Sequence, residues 1–346
     1  MGKAAIYNPY LDTLGGGEKY TLSFAKVLAE DLGFDVDIEW KDTGIREKLI
    51  NRFGFKLPNN INFIKSVNRG EGYDLIFWVS DGSIPTLRAK DNYIHFQVPF
   101  QGVNGKSLLN KMKLFRVKKV ICNSEFTKKV IDKEFGLESV CLYPPIDTKL
   151  FKPKRKENII SYVGRFSTLT QSKGQEILIG VFKKLVKEKN FKDWKLILAG
   201  GVEVGVGEEV KRLKKLIKNF NIEIIESPDF GRIVDIYGRS KIFWSATGFG
   251  VDEKKNPEKV EHFGITLIES MASGCVPLVY KAGGFKEVLS NGKNGFLWEN
   301  KNDLLKLTKK LVEEKGLMRL ISKNSLDRSK DYDYEEFKKN TIKILS

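Results

Sequence analysis

Only three of the 346 residues are cysteines, and they do not have the spacing of metal ligands. The three, Cys122, Cys141 and Cys275, stand in apolar contexts, which predicts buried reduced thiols. The chain has no run of about 18 apolar residues, which argues against a transmembrane helix. Its first residues, MGKAAIYNPY, show no signal-peptide pattern. We therefore expect a cytoplasmic protein.

The excess of positive charge is large, with 60 lysines and arginines against 44 acidic residues and a net charge of +16. Such a balance is typical of proteins that bind nucleic acid, an anionic membrane or an anionic substrate. Most of these cations are lysines that are scattered through predicted helices with acidic residues between them. This pattern is also typical of solvated helix faces, so charge alone does not select a partner.

Short apolar runs alternate with amphipathic stretches along the whole chain. This alternation predicts parallel sheets that are covered by helices on both faces. A segment rich in proline and charge, 143–158, separates two such series. We predict an α/β fold of two Rossmann-like β/α/β domains that face each other across a cleft. The first domain would span 1–148 and the second 149–333, and a last helix over 334–346 would pack back on the first.

Ligands of such sheets bind beyond the carboxyl ends of the strands, and unusual residues collect in those loops. The first loop, LGGGEKY, has three glycines before a helix that could approach an anionic ligand closely: Gly15, Gly16 and Gly17. A plain flexible turn explains it equally well. His95 lies near the end of the apolar run YIHFQVP, where its imidazole could reach a sugar or phosphate in the cleft. A core histidine bonded to backbone is the alternative.

Two cations follow the first strand of the second domain in VGRFSTLTQSKGQ. Arg165 comes directly after the strand and a glycine, and Lys173 precedes a helix. An arginine fork and a lysine point charge can together hold a diphosphate. Each could also be an ordinary surface charge, although both stand in one strand-end loop.

The stretch EHFGITLIESMASGCVPLVYKAGG, 261–284, places carboxylates at Glu261 and Glu269 on either side of a predicted helix start. A carboxylate accepts two hydroxyl hydrogens, so each suits a diol, one on a sugar ring and one on a ribose. Free amides at a helix start favour phosphate oxygens. The first-turn residues between the two carboxylates are Phe263, Gly264, Ile265 and Thr266. This layout is that of a nucleotide-sugar site.

The stretch EHFGITLIE resembles the E-x7-E motif of the GT-B-fold retaining glycosyltransferases, the family 4-like group that includes sucrose synthase and many bacterial mannosyltransferases. The stretches EHFGI, YPPID (143–147) and YIHFQVP are also similar to the mannosyltransferases that extend dolichol-linked oligosaccharides. The likeness covers nearly the whole chain. It implies a cytoplasmic retaining hexosyltransferase that uses a nucleotide sugar, with GDP-mannose favoured and UDP-sugars open.

The resemblance also implies roles for individual residues. Glu269 would bind the ribose hydroxyls and Glu261 the transferring sugar. Arg165 and Lys173 would hold the diphosphate, although the spacer between them is longer than in many members. His95 would lie beside the sugar and the acceptor, and the first-turn amides of the Phe263–Thr266 segment would line the sugar–phosphate site.

We expect no metal ion and no cofactor besides the donor substrate. The acidic triplets at 35–37 and 331–333 imitate a metal-binding DxD motif, but one lies in a predicted strand and the other in a polar segment before the last helix.

Three other functions stay open. A nucleotide-sugar epimerase could share the fold, a polyanion-binding protein would explain the charge, and an inactive relative could serve as a binding module. Carboxylates in the ligand-facing loops would repel the phosphates of a nucleic acid, so we expect no nucleic-acid partner.

The acceptor is a glycan or a lipid-linked glycan by the same resemblance. Segment 104–121, NGKSLLNKMKLFRVKKVI, mixes apolar and basic residues. A basic amphipathic helix there could rest on an anionic membrane that holds such an acceptor, at the inner face of the membrane. A helix whose apolar side packs on the domain while its lysines are solvated is the alternative.

Overall fold

The computed structural model describes residues 2–13, 15–42, 44–54, 56–167, 171–202 and 205–346. The chain divides into two compact units. The first comprises Met1–Pro145 together with Tyr334–Ser346, and the second comprises Ile146–Asp333. The domain boundary predicted after residue 148 lies a few residues beyond this division.

The first unit is built on a sheet of seven parallel strands in the order β3-β2-β1-β4-β5-β6-β7. The strands are β1 Lys3–Tyr7, β2 Asp35–Glu39, β3 Ile61–Ile64, β4 Leu75–Val79, β5 Asp91–Phe96, β6 Lys119–Cys122 and β7 Val140–Cys141. The central strands β1, β4 and β5 are buried on both faces, which explains their continuous apolar sequences.

The described residues of the first unit form five α-helices. They are α1 Gly16–Lys26, α2 Ile45–Phe53, α3 Leu108–Leu114, α4 Glu125–Phe135 and, from the end of the chain, α12 Tyr334–Leu345. A π-helical turn, Val27–Asp31, continues α1. Helix α12 packs against this unit, where Phe337 meets the ring of Tyr20 edge-on at 5.4 Å between centroids.

The second unit contains six parallel strands in the order β10-β9-β8-β11-β12-β13. They are β8 Glu157–Val163, β9 Lys195–Gly200, β10 Ile222–Glu226, β11 Ser240–Ser245, β12 Val276–Tyr280 and β13 Phe296–Trp298. Its helices are α5 Gln175–Leu185, α6 Gly207–Leu216, α7 Phe230–Arg239, α8 Ile265–Ala272, α9 Phe285–Val288, α10 Lys301–Glu313 and α11 Lys315–Ser329.

Both strand orders follow the Rossmann pattern, in which the chain reverses direction beside its first strand. The prediction of two parallel-sheet, Rossmann-like α/β domains is confirmed. Two short strands, β3 and β7, were not predicted, because four and two residues are too few to show a period. The predicted free cysteines are observed, although Cys141 on the edge strand β7 is only half-buried.

Within the described residues, no helix has both the length and the apolar character needed to cross a membrane. The helix expected within 104–121 is confined to α3, Leu108–Leu114, and none of its residues is buried. Leu114 at the end of α3 packs on the core of the first unit, whereas Leu108, Leu109 and Met112 are exposed, so only part of its apolar side packs on the domain.

We expect Phe337→Ala to lower the free energy of unfolding by about 3 kcal/mol, because Phe337 is 3% exposed and the change leaves a cavity beside Tyr20. Ile342→Ala on the same helix is the control. Ile342 is 36% exposed, so its loss should cost less than about 1 kcal/mol. Urea unfolding followed by circular dichroism measures both. Equal losses would show that α12 does not stabilise the first unit through Phe337.

Candidate active site

Two loops leave the carboxyl ends of β8 and β11, the neighbouring strands at which the order of the second sheet reverses. This reversal is where doubly wound sheets bind their ligands. The loop after β8 carries Arg165 and leads to Lys173 before α5. The chain after β11 leads to Glu261 and α8. The topology therefore brings three of the predicted site residues to one edge of one sheet.

Glu261 and Lys173 form a salt bridge, with 3.0 Å between Lys173 Nζ and Glu261 Oε2. The two side chains are only 20% and 12% exposed. Burial opposes ionisation of Glu261, but the nearby charges of Lys173, His262 and Arg165 outweigh it and hold the pKa of Glu261 below its ordinary value. The carboxylate is therefore ionised near neutral pH, and the charge of Lys173 is shared with it.

Gln171 and Tyr162 also belong to this cluster, and the sequence did not single them out. Gln171 accepts a hydrogen bond from Lys173 and donates one to the carbonyl of Val260, so it joins the two loops. The ring of Tyr162 is buried, and burial together with the charge of Glu261 raises its pKa far above the ordinary range. No local pattern reveals either residue, because each acts through a contact between distant segments.

Arg165 is exposed at the start of its loop, while its backbone is fixed. The carbonyl of Arg165 accepts a hydrogen bond from Gln175 Nε2 at 3.0 Å. A Cβ atom on Gly200 would lie 2.0 Å from the carbonyl oxygen of Gly164, so only glycine lets the end of β9 pass this close. The loop start is rigid and presents a guanidinium at the edge of the sheet.

The Gly-Gly turn at 283–284 packs directly against the backbone of the Glu261 loop. A Cβ atom on Gly283 would lie 2.0 Å from the carbonyl oxygen of Glu261, and one on Gly284 would lie 2.4 Å from that of His262. The amide of Gly284 also donates to the Glu261 carbonyl at 2.8 Å. The two glycines are therefore required by close approach, and they fix the backbone that carries the carboxylate.

Helix α8 begins immediately after this contact, at the left-handed Gly264 (φ +104°). A Cβ atom there would lie 2.7 Å from the ring of Phe285. No side chain among the described residues caps the helix start, so the amides of Ile265 and Thr266 face the edge without an intrahelical partner. The side chain of Phe263 is 2% exposed and packs on Tyr332, so it serves the core.

Glu269 lies one turn into α8 and is 9% exposed. Its neighbour is the buried Tyr237, whose pKa is raised first by burial and then by the charge of Glu269. The structure thus brings Arg165, Lys173, Glu261, the α8 start and Glu269 together within the second unit.

The far end of α8 is held by Lys156, which sequence reasoning assigned to a linker. Its ammonium donates to the carbonyls of Ser273 at 2.6 Å, Ser240 at 2.7 Å and Tyr237 at 3.3 Å. Burial lowers the pKa of Lys156. A cation at a helix C-terminus stabilises the helix, so this residue anchors the element whose other end faces the site.

The three predicted glycines lie in the first unit, at the carboxyl end of β1. Gly15 precedes α1, and its amide donates to Glu18 Oε2 at 2.7 Å. Gly16 is the first residue of the helix. A Cβ atom on Gly17 would lie 2.0 Å from Gln97 Oε1, so the loop needs glycine where it meets the chain after β5. Close packing thus accounts for Gly17 without a ligand.

His95 lies in the core of the first unit with no exposed surface, which differs from its predicted position at the cleft. Its ring stacks on Tyr20 at 4.3 Å between centroids, and Nδ1 lies 3.2 Å from the carbonyl of Ile121. Burial lowers the pKa of His95 to about 3. An apolar, aromatic surrounding disfavours the charged imidazole, and the position matches the alternative of a core histidine bonded to backbone.

No group of three or more histidine, cysteine or acidic side chains that could hold a metal ion occurs among the residues that the structure describes. The acidic triplets lie where the sequence indicated. Residues 35–37 are in the strand β2, and 331–333 precede α12.

We expect Gly284→Ala to destabilise the second unit by more than about 1 kcal/mol, because the new methyl group would collide with the carbonyl of His262. Gly180→Ala is the matched control, since Gly180 lies inside α5 with open space where its Cβ would be. That change should be neutral or stabilise by up to about 1 kcal/mol. Thermal unfolding of both variants measures the difference. Equal melting temperatures would contradict the close approach.

Comparison with known proteins gives the family of this fold and site. The family of glycosyl transferases group 1 matches residues 146–328. An uncharacterized glycosyltransferase of Methanocaldococcus jannaschii is 24% identical over 296 residues, which is 81% of this chain and 77% of that protein. The mouse GDP-Man:Man(3)GlcNAc(2)-PP-Dol alpha-1,2-mannosyltransferase is 27% identical over 213 residues, 56% of this chain but only 41% of the mouse protein.

Solved structures match over the full length. The Anabaena protein Alr3699/HepE in complex with UDP has a TM-score of 0.76 at 18% identity and covers 100% of this chain and 99% of its own. A glycosyltransferase from Rickettsia africae has a TM-score of 0.78 at 17% identity, with coverage of 100% and 99%. These likenesses show the GT-B fold. Because the matched segment 146–328 is more than half of the chain, the protein belongs to the family of glycosyl transferases group 1 and is a glycosyltransferase.

Proposed function

We propose that the protein is a retaining hexosyltransferase that moves mannose from GDP-mannose to a glycan or lipid-linked acceptor without a metal ion. The observation that carries this proposal is the convergence of Arg165, Lys173 and Glu261 at the switch point of the second sheet, beside the start of α8. Two cations, one ionised carboxylate and a helix start form a set that suits one molecule with both a diphosphate and a sugar.

The diphosphate would lie against the positive groups. Arg165 can bind two oxygens through its guanidinium fork, and Lys173 can bind a third as a point charge. The amides at the start of α8 add their partial positive charge. When the bond between the sugar C1 and the diphosphate oxygen breaks, negative charge grows on that oxygen, and preorganised donors of this kind stabilise it. The reaction needs no metal ion for this purpose.

The sugar and the ribose would each take one carboxylate. Glu261 stays ionised near neutral pH, so it can accept hydrogen bonds from two hydroxyl groups of the sugar. Glu269, one turn further along α8, suits the ribose in the same way. His95 carries no charge near neutral pH, so we assign it no part in moving a proton.

In a retaining transfer the acceptor hydroxyl attacks the face that the diphosphate leaves. The new bond joins the acceptor oxygen to C1, and the proton of that hydroxyl passes to the departing diphosphate oxygen. Retention rests on the resemblance of EHFGITLIE to the retaining enzymes. Donor choice rests on the relatives: the aligned Dictyostelium, mouse and human proteins are named as GDP-mannose enzymes, whereas the Anabaena structure holds UDP.

We expect Arg165→Met and Glu261→Gln each to lower kcat by about 100-fold or more, since each removes a charged group from the reacting end of the donor. Arg155→Met, which removes an exposed arginine ahead of β8, is the control and should keep wild-type turnover. Release of GDP from GDP-mannose in the presence of acceptor measures the rate, and circular dichroism checks the fold. Wild-type turnover by either site variant would refute the proposed roles.

We expect Glu269→Gln to weaken donor binding by about tenfold or more, because a charge-assisted hydrogen bond to the ribose is lost. Titration calorimetry with GDP-mannose and GDP measures the change, and both ligands should be affected because both carry the ribose. Wild-type protein should also bind GDP-mannose more tightly than UDP-glucose. Unchanged affinity in the variant would contradict the ribose role, and a preference for UDP-glucose would contradict the donor.

A further inference from the structure

The helix α3 exposes a cluster of large apolar side chains to solvent. Leu108 is 76% exposed, Leu109 60%, Met112 65% and Phe115 93%. These four residues are called the α3 patch below. Only four other large hydrophobic residues among those described are similarly exposed, and one of them, Val103, lies just before the helix. A contiguous exposed apolar cluster of this kind marks an interaction surface.

The spacing of the α3 patch puts all four side chains on one side of the helix. Residues at i, i+1, i+4 and i+7 cover an arc of about 120° at 3.6 residues per turn. The opposite side attaches the helix to the first unit. Leu114 and Val117 pack on the core, and Lys113 Nζ donates to the carbonyl of Ile84 at 2.8 Å. Because these contacts attach the opposite side of α3 to the first unit, the patch faces the solvent.

The loop before α3 is fixed by one carboxylate of α4. The oxygens of Glu134 accept hydrogen bonds from the amides of Gly102, Val103 and Gly105 at 3.0, 3.0 and 3.2 Å. A Cβ atom on Gly105 would lie 2.7 Å from the carbonyl of Glu134, so the loop lies flat on α4. Ser107 then caps α3 by accepting from the amide of Asn110 at 3.3 Å. The helix that carries the patch is thus ordered before it binds, which lowers the entropic cost of binding.

The segment of the chain that carries the α3 patch contains charges of one sign, and the Glu134 carboxylate of α4 lies near one of them, Lys106. No aspartate or glutamate occurs between Asp91 and Glu125, while the same segment contains six cations: Lys106, Lys111, Lys113, Arg116, Lys118 and Lys119. Lys113, Lys118 and Lys119 bond to neighbouring protein groups. The other three, Lys106, Lys111 and Arg116, are exposed and form no salt bridge with a described residue. Three available cations therefore border four exposed apolar side chains.

We propose that the α3 patch docks on an anionic membrane surface. The four apolar side chains enter the boundary between headgroups and acyl chains, and Lys106, Lys111 and Arg116 bind lipid phosphates. A nucleic acid would use the cations but leave the apolar residues in water, so the combination favours lipid. The inference goes beyond the proposed function and does not rest on it, because membrane binding is measured without donor or acceptor.

The α3 patch is connected to the edge of the first sheet at which ligands of such folds bind. The loop that leads to α3 leaves the carboxyl end of β5, and Gln97 at that strand end touches Gly17 of the glycine loop. The patch is thus joined by one continuous segment to the edge of the first sheet at which ligands of such folds bind. An acceptor held in the membrane by a lipid would be delivered beside that edge.

Sedimentation of the full chain with vesicles tests the proposal. We expect binding to vesicles of equal parts phosphatidylcholine and phosphatidylglycerol, weaker binding to phosphatidylcholine alone, and release as salt increases. Phe115→Ser and Leu109→Ser should each lower the partition coefficient by about tenfold. Replacing Lys106, Lys111 and Arg116 together with glutamine should lower it by about fivefold per charge.

Leu320→Ser is the matched control, because Leu320 on α11 is 55% exposed, close to the 60% of Leu109, but lies in the second unit. It should leave vesicle binding unchanged, and melting temperatures should match for all the variants. The proposal is overturned if wild-type protein does not prefer the anionic vesicles, or if Leu109→Ser and Leu320→Ser reduce binding equally. It is also overturned if Phe115→Ser keeps full binding, which would point to a protein partner for the patch.

Discussion

The candidate site depends on a contact in which two stretches of backbone meet with no room for a side chain. Gly283 and Gly284 lie against the carbonyls of Glu261 and His262, and a Cβ atom on either glycine would overlap them. This contact fixes the loop that carries Glu261 and, through the left-handed Gly264, the direction in which α8 begins. The carboxylate and the helix start are therefore placed by one rigid piece of backbone, and a site for electrostatic stabilisation needs groups that do not have to reorganise when charge develops.

Most of the fold could be predicted, because strands that are buried on both faces are continuous apolar runs in the sequence. The segments KLILAG and VPLVY, which form β9 and β12, are apolar runs of this kind. The prediction failed for elements that are only partly buried. Strand β3, INFI, alternates weakly and has one buried residue, so it has no clear period. A helix was expected within the segment 104–121, and only seven of its residues form α3. The amide of Gly105 before the helix bonds to Glu134, and Lys119 already begins β6.

The site was predictable only where its residues stand in a local pattern. Arg165 directly follows β8 and a glycine, and Glu261 stands in the EHFGI stretch just before the start of α8. Gln171 and Lys156 have no such signal, because the first bonds across two loops and the second bonds three carbonyls that come together only after folding. For His95 the predicted strand was correct and the predicted environment was wrong. Whether a strand-end ring faces ligand or core depends on its neighbours, here Tyr20 and Phe77, which pack over it.

The salt bridge between Lys173 and Glu261 also bears on which ligand the site should prefer. Both side chains are mostly removed from water, so taking one partner away would leave the other as a poorly solvated charge. A diphosphate alone would draw Lys173 away from Glu261, whereas a free sugar would satisfy Glu261 but bring no phosphate to the site. A nucleoside-diphosphate sugar brings both groups in one molecule. Its phosphate oxygens would bind Lys173 and Arg165. Its sugar hydroxyl groups would donate hydrogen bonds to Glu261 in place of Lys173. On this argument, the bridge that holds the site together without donor also favours the intact donor over either of its parts.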